Sequence, residues 1–257
     1  MGGHINWVGL MTLIRREVGR FFSVYRQTVL PGLISSTLYI MVFGFTLQRR
    51  IAEIDGVSYT IFIIPGLIMM NTLTNASANT SSSMLQMKLL QQLPDILTAP
   101  LSSLEISLAY IIGGTVRGTV NGILVMLLGI ALVGLPLHHP LMTLGFIIMV
   151  SWCFASMGLL LGQLADTWDQ LAMLNNFFLT PLSFLGGIFY SIKMLPEWAQ
   201  TISFINPIYY MINGLRFTTI GVYDSPPFVS FIMALLMTIG FSVAAILLMQ
   251  SGKKIKQ

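Results

Sequence analysis

The sequence predicts an all-α membrane protein with six transmembrane helices. Of its 257 residues, 55% are hydrophobic and only 9% are charged, whereas a soluble domain carries about 25% charged residues. The apolar residues also gather in stretches long enough to cross a bilayer, which takes about 20 residues. Because backbone groups have no water partner in lipid, such stretches must be helical. The length fits a single domain, residues 1–257.

Six uncharged or nearly uncharged stretches are the predicted membrane spans. In chain order they cover residues 28–47, 59–83, 106–136, 141–164, 171–190 and 228–249. Only the third contains a charged residue, Arg117. Strands of a membrane barrel would be about ten residues long with alternating polarity, which these stretches are not.

Lysines and arginines in the flanks orient the chain. With six crossings, both termini lie on one side of the membrane. That side carries Arg15, Arg16, Arg20, Arg26, Lys88, Lys253, Lys254 and Lys256, and the other side carries Arg49, Arg50, Lys193 and Arg216. Because basic residues are more frequent in cytoplasmic flanks, both termini are predicted to lie in the cytoplasm.

Two segments outside the spans are predicted to lie in or dip into the membrane faces. The first, residues 1–26, has apolar side chains at helical spacing: Trp7, Leu10, Ile14, Val18 and Phe21. With its arginines, it is typical of an amphipathic helix in the cytoplasmic interface, and an ordinary flank is the alternative. The second, residues 191–227, is too apolar for a free loop and too rich in proline for a straight span. It predicts a re-entrant or interfacial helical segment.

The connection between the second and third spans, residues 84–105, mixes charged and amide side chains with leucines and isoleucines. It has room for one short amphipathic helix that ends near Pro100. Such a helix on a cytoplasmic loop is suited to docking a soluble partner.

Polar side chains inside the spans are candidates for lining a translocation pathway. The set comprises Asn71, Asn75 and Asn79 at spacings of four in the second span, Arg117 in the third, and Asn175, Asn176 and Thr180 in the fifth. Since lipid exposure of amides is costly, these residues face protein or a cavity. Interhelical hydrogen bonding is the alternative for the asparagines. For Arg117, snorkelling or a structural pairing is the alternative to lining a cavity that attracts an anionic group.

Beside Arg117, glycines recur every four residues at positions 114, 118 and 122. They give the third span one smooth face. This pattern predicts close packing against another helix and carries no information on substrate.

The sequence contains no catalytic or metal-binding machinery of its own. It has one cysteine, Cys153, and its histidines are His4, His138 and His139, which form no metal-ligand pattern. Gly252 and Lys253 lack the rest of a phosphate-binding loop. The basic residues form no stripe with interleaved aromatics, which counts against nucleic-acid binding. Uphill transport would therefore need an energy source on another chain.

A degenerate pattern with fixed spacing runs from the fifth predicted span into the proline-rich segment, residues 191–227. It comprises Leu179, Leu182, Leu185, Gly186, Ile188, Leu195, Pro196, Pro207, Ile208, Tyr210 and Arg216. This pattern resembles the signature of the ABC-2 type permeases, the membrane subunits of ATP-binding-cassette exporters. The likeness covers nearly the whole chain and is closest to the drug-resistance and nodulation-factor branch. Residues 65–67, Pro-Gly-Leu, and the pair Ala99 and Pro100 look similar to that branch too.

The resemblance implies a bacterial inner-membrane permease that works as a homodimer with two ATP-binding-cassette ATPase subunits. ATP and Mg would then be bound by the partner ATPase and not by this chain. A coupling helix would sit in a cleft of the ATPase and would comprise Gln91, Gln92, Leu93, Pro94, Asp95, Ile96 and Leu97. An ATP-independent carrier or channel is the alternative, against which the lack of carboxylates inside the spans counts. A non-transporting scaffold is a third possibility. The low charge of the spans favours an amphipathic or apolar substrate.

Overall fold

A computed structural model of the chain describes residues 6–46 and 53–252. The described residues are mostly helical, with one departure from the all-α prediction, a hairpin of β1 (Glu53–Ile54) and β2 (Val57–Ser58). The helices are α1 (Trp7–Ser23), α2 (Tyr25–Tyr39, continued by π-helical Ile40–Phe45), α3 (Tyr59–Leu89), α4 (Leu93–Thr98), α5 (Ser103–Val133), α6 (Pro140–Leu164), α7 (Trp168–Leu174, continued by π-helical Asn175–Leu179), α8 (Thr180–Leu185), α9 (Glu197–Ile205), α10 (Pro207–Ile220) and α11 (Pro227–Ser251).

Five helices in the described part of the chain are long and apolar enough to span a membrane. They are Tyr25–Phe45, Tyr59–Leu89, Ser103–Val133, Pro140–Leu164 and Pro227–Ser251. They overlap the first four predicted spans and the sixth. The fifth predicted span, residues 171–190, corresponds to α7, its π-helical continuation and α8, an irregular helix that ends at Leu185. The count of six spans therefore stays a prediction.

Helix α3 is the central element of the bundle. It packs along α5 and α6, and α10 contacts it near its N-terminal end. Its apolar side chains from Phe62 to Met69 have no exposed surface and belong to the main hydrophobic cluster. By contrast, α2 and α11 pack over smaller parts of their surfaces. Burial thus decreases outward from α3.

Glycines allow this close approach. A Cβ atom on Gly118 of α5 would lie 2.7 Å from the Cβ of Ala76 of α3, and one on Gly162 of α6 would lie 2.7 Å from the carbonyl oxygen of Ser81 of α3. Real Cβ atoms do not reach such distances, so larger residues would force the helices apart. The predicted packing role of the glycine face is confirmed.

Helix α1 packs along α5 instead of standing apart from the bundle. Its start is capped by Asn6, whose side-chain oxygen accepts from the backbone N–H of Gly9 at 3.0 Å. Leu10 and Phe21 of the predicted apolar stripe are buried, whereas Trp7 is 67% exposed. Its position in the membrane interface stays a prediction.

The segment of residues 191–227 contains two α-helices of unequal burial. Helix α10 is buried among α3, α6 and α11, whereas α9 keeps Trp198 and Ile205 exposed. Pro207 is the first residue of α10, where its missing N–H has no helical partner to lose. Gly221 ends α10 with a left-handed φ of 74°. Whether this segment is re-entrant in the membrane stays a prediction.

Replacing Gly118 by valine should destabilise the bundle by about 1–3 kcal/mol, because the added methyl groups collide with Ala76 and Ser151. Thermal unfolding of the purified protein in detergent measures the loss. Gly145→Val is the matched control, since an added Cβ there meets nothing within 4 Å and helix propensity changes equally. Equal melting temperatures for the two variants would contradict the packing role.

Candidate functional site

A polar cavity of about 300 Å³ lies between α2, α3 and α5. Three of the predicted pathway residues, Asn71, Asn75 and Arg117, line it. The Arg117 guanidinium donates from Nε and Nη2 to Oδ1 of Asn75, both at 3.2 Å. Asn75 donates to the carbonyl of Asn71 at 3.0 Å, and Asn71 Nδ2 donates to Oγ of Ser36 at 2.8 Å. The three helices are therefore joined by one chain of hydrogen bonds.

Arg117 lies near the middle of α5. The helix begins at Ser103, so the arginine is about 21 Å along it at about 1.5 Å per residue. Its side chain turns to Asn75 of α3 and not to the end of its own helix. Structural pairing with Asn75 and lining of the cavity both describe this arrangement.

Asn79 belongs to a different cluster, at the end of the bundle that holds α1, α4 and the α6–α7 connection, here named the α4 end. Its backbone and side-chain oxygens accept from Nη2 of Arg20 at 2.7 and 3.2 Å. Arg20 Nε lies 3.7 Å from the carboxylate of Glu17, which has no exposed surface and accepts from Ser83 Oγ at 2.7 Å. This cluster anchors α1 to α3, so only two of the three asparagines line the cavity.

The polar residues of the fifth predicted span lie apart from the polar cavity. Asn176 and Thr180 are exposed, and Oδ1 of Asn175 has no hydrogen-bond partner among the described residues. The same irregular helix lines an apolar cavity of about 430 Å³ with α6, α10 and α11, through Leu174, Leu179 and Leu182. Within one chain, the predicted pathway residues of the second and fifth spans therefore do not line the same cavity.

The predicted coupling residues form α4 and the turn before it. Gln91 adopts a left-handed φ of 54°, which turns the chain after α3. Leu93 is only 2% exposed, and Ile96 is half-buried against the hydrophobic core. The exposed residues are Gln91, Gln92, Pro94, Asp95 and Thr98. Helix α4 thus has one face anchored in the bundle and one face open.

Side chains on both sides of α4 tie it to the bundle. Ser102 and Glu105 form a capping box at the start of α5, and Glu105 Oε1 also accepts from the backbone N–H of Asn6 at 2.5 Å. On the other side, Nζ of Lys88 donates to Asp166 at 3.0 Å. These bonds join the α4 loop to α1 and to the α6–α7 connection.

Two structurally important carboxylates, Glu17 and Asp224, were missed by the sequence pattern. Glu17 offered a signal, because it sits one turn before Phe21 on the apolar side of α1. Asp224 offered little sequence signal, since its role, described below, depends on which side chains fold against its carboxylate.

Within residues 6–46 and 53–252, no three His, Cys, Asp or Glu side chains group as metal ligands would.

The chain matches the family model described as ABC-2 type transporter over residues 9–220. It belongs to the ABC-2 type transporter family. It is 36% identical to the inner membrane transport permease YadH of Escherichia coli strain K12 over 253 residues, 98% of this chain and 99% of that protein. It is 24% identical to nodulation protein J of Rhizobium leguminosarum bv. viciae over 225 residues, 85% and 84% of the two chains. These relatives and the apolar helices identify this chain as a multi-pass transport permease of the bacterial inner membrane.

The signature arginine of this ABC-2 permease is buried at the opposite end of the bundle, here named the α9 end. Arg216 is 1% exposed and donates to the carbonyl of Gly187 at 2.7 Å. Its guanidinium lies 3.9 Å from the ring centroid of Phe62 of α3 and 3.6 Å from the carboxylate of Asp224. Burial lowers the pKa of Arg216 to about 10 against the opposing effect of Asp224, so the guanidinium is charged at neutral pH.

Asp224 extends this cluster to the segment before α9. Its carboxylate accepts from Oγ of Ser191 at 2.5 Å and from the backbone N–H of Ile192 at 3.2 Å. Exposed Lys193 lies 3.7 Å from it. The cluster thus fixes α10 and the connections on either side of α9 and α10 to α3.

The other signature residues of the ABC-2 permease sit where helices start, stop or touch. Gly186 packs against α10, where a Cβ would lie 3.0 Å from Ile212 Cδ1. Pro196 immediately precedes α9, and Pro207 is the first residue of α10. The hydroxyl of Tyr210 donates to the carbonyl of Phe204 at 2.9 Å. These signature residues therefore contact other parts of the same chain and set where the helices at the α9 end begin and how they pack.

Arg216→Gln should destabilise the permease by about 3 kcal/mol or more, because it removes the buried cation beside Asp224 and leaves that buried carboxylate only the exposed Lys193. Lys193→Gln removes a cation from the same carboxylate, but the lysine side chain is 57% exposed, so stability should change little. Thermal unfolding in detergent compares the two. The double variant Arg216→Gln/Asp224→Asn should recover part of the loss, and strict additivity of the two changes would contradict the pairing.

Proposed function

We propose that this permease forms the substrate pathway of an ABC exporter, as a homodimer with two separate ATPase subunits that bind ATP and Mg²⁺. Membership of the ABC-2 family and relatives named as transport permeases support a transport role. The sequence offers no phosphate-binding loop of its own, which is the reason to assign ATP hydrolysis to a partner chain.

The observation that carries the proposal is the divided surface of α4. Leu93 holds the helix to the bundle, while Pro94 and Asp95 face outward. A short helix that is anchored on one side and open on the other is suited to transmit the movement of a docked protein. The neighbouring hydrogen bonds of Glu105 and Lys88 connect α4 to α1, α5 and α6, through which such a movement would pass.

The proposed topology has six spans, with the irregular helix of α7 and α8 as the fifth and both termini in the cytoplasm. The α4 end then faces the cytoplasm, where the ATPase is. Helix α1 would lie along the cytoplasmic interface with Trp7 at its exposed side, and residues 191–227 would dip into the opposite face.

A homodimer is supported by the polar surface that one chain leaves uncovered. Asn176 and Thr180 are exposed on a helix of the membrane region, and uncompensated exposure of such groups to lipid is unfavourable. A second copy that faces them would enclose a pathway lined by these residues and by the polar cavity around Arg117. ATP binding would close the ATPase pair, displace α4 and rock the two permeases against each other.

An ATP-independent carrier or channel is the alternative. The two differ in their energy source: the exporter requires a partner ABC ATPase, whereas the alternative transports after ATP depletion and without a partner. Reconstitution in liposomes with and without that ATPase separates them.

Asp95→Lys should weaken association with the ATPase by about tenfold or more, because it reverses the charge at the centre of the proposed docking face. Co-purification and the ATPase activity of the reconstituted complex measure the effect. Glu197→Lys makes the same change of charge on exposed α9, at the opposite end, and should leave association unchanged. If Asp95→Lys assembles and stimulates ATP hydrolysis like wild type, the coupling assignment to α4 is wrong.

A further inference from the structure

Among residues 6–46 and 53–252, Arg117 has no anionic partner. Its hydrogen bonds go to the neutral amide oxygen of Asn75, at 3.2 Å, and no carboxylate of the described residues lies within ion-pair distance of it. The other two arginines inside the bundle differ, since Arg20 pairs with Glu17 and Arg216 with Asp224. The positive charge of Arg117, near the middle of α5, is therefore left uncompensated by any carboxylate of the described residues.

The cavity beside Arg117 has the chemistry of an anion site. Besides Arg117, its polar lining consists of amide and hydroxyl side chains and contains no acidic residue: Gln27, Thr28, Ser35, Tyr39, Asn71, Thr74 and Asn75. Hydroxyl and amide N–H groups can donate to an oxyanion, and guanidinium matches phosphate, sulfate or carboxylate in shape and charge. A volume of about 300 Å³ admits such a group.

An apolar surface lies next to the cavity. Pro31 and Ser35 of α2 line the cavity, and the residue just before each of them, Leu30 and Ile34, is about half exposed. Because successive helical residues are offset by about 100°, these side chains form the face of α2 adjoining the cavity. A ligand with an anionic head and an apolar tail fits both surfaces, whereas a free inorganic anion uses only one.

We propose that this cavity binds the oxyanionic head group of a membrane amphiphile, with Arg117 as its principal charged contact. The proposal rests on the proposed function, because an amphiphile held in the cavity between α2, α3 and α5 is a substrate of the pathway. It adds a charge class to that substrate: an anion, with phosphate, sulfate or carboxylate as the head group.

Binding of radiolabelled dodecyl phosphate to the full-length permease in phosphatidylcholine nanodiscs tests the proposal. Saturable binding should be displaced by unlabelled dodecyl phosphate. Dodecanol and dodecyltrimethylammonium, which carry the same tail without the anion, should compete at least about tenfold less well. Equal competition by dodecanol would overturn the charge assignment, and equal competition by inorganic phosphate would overturn the amphiphile assignment.

Variants assign the binding to Arg117. Arg117→Gln should weaken dodecyl phosphate binding by about tenfold or more, and Arg117→Lys should retain part of it. Arg15→Gln removes one positive charge from the exposed side of α1 and should bind like wild type.

Asn75→Asp is the sharper variant, because it keeps the arginine and places a carboxylate at the position that now accepts from it at 3.2 Å. It should abolish anion binding while the protein remains folded, as checked by thermal unfolding. Wild-type affinity in Asn75→Asp or Arg117→Gln would refute the site. The assay contains no ATPase, so failure of coupling through α4 leaves its result unchanged, and failure of the anion site leaves the α4 experiment intact.

Discussion

The close approach of α3 to α5 and α6 is the constraint on which the rest of the structure depends. Gly118 and Gly162 let the backbones come together, and α3 is buried as a result. Without a hydrophobic force between helices in lipid, this packing is what holds the bundle. It also sets the polar geometry, because Asn75 meets Arg117 only when α3 and α5 lie side by side.

The polar residues of α3 form two kinds of hydrogen bond, within the helix and to other helices. Thr72 and Thr74 donate to carbonyls four residues earlier, so their hydroxyl groups are satisfied within the helix. The asparagines instead form hydrogen bonds with other helices. Asn71 Nδ2 donates to Oγ of Ser36 of α2, and Oδ1 of Asn79 accepts from Arg20 of α1. The two roles proposed for this stripe, interhelical bonding and cavity lining, are therefore combined in Asn71 and Asn75 and separated in Asn79.

Length and apolar character made the long helices predictable, because a run of about 20 uncharged residues has few alternatives. The family could be read from the spacing of residues 179–216, and it is confirmed. The irregular course of α7 and α8 was harder to predict. Pro181 stands at the start of α8, but Pro31 and Pro65 lie inside helices that continue, so a proline alone does not predict the break. Partners were also unpredictable: the spacing of Asn71, Asn75 and Asn79 shows one helix face, but α1, α2 and α5 decide what each contacts. Asp224 shows the same limit, because its partner Arg216 reaches it only through the fold of α10.

Charge pairing differs along the bundle, and this bears on where the permease can change shape. At the α4 end, Lys88 pairs with Asp166, and at the α9 end Arg216 pairs with Asp224. Between these ends, the only hydrogen-bond acceptor of the Arg117 guanidinium among the described residues is a neutral amide. In the proposed exporter, the Lys88–Asp166 pair holds α3 to the α6–α7 connection, and Arg216 holds α10 to Phe62 of α3, so that α3, α6 and α10 move as one body. The less buried α2 borders that body at the polar cavity, where no ion pair of the described residues must break. An anionic head group at Arg117 would then supply the missing charge and make the occupied cavity differ energetically from the empty one, which is the requirement for a ligand to shift a two-state equilibrium.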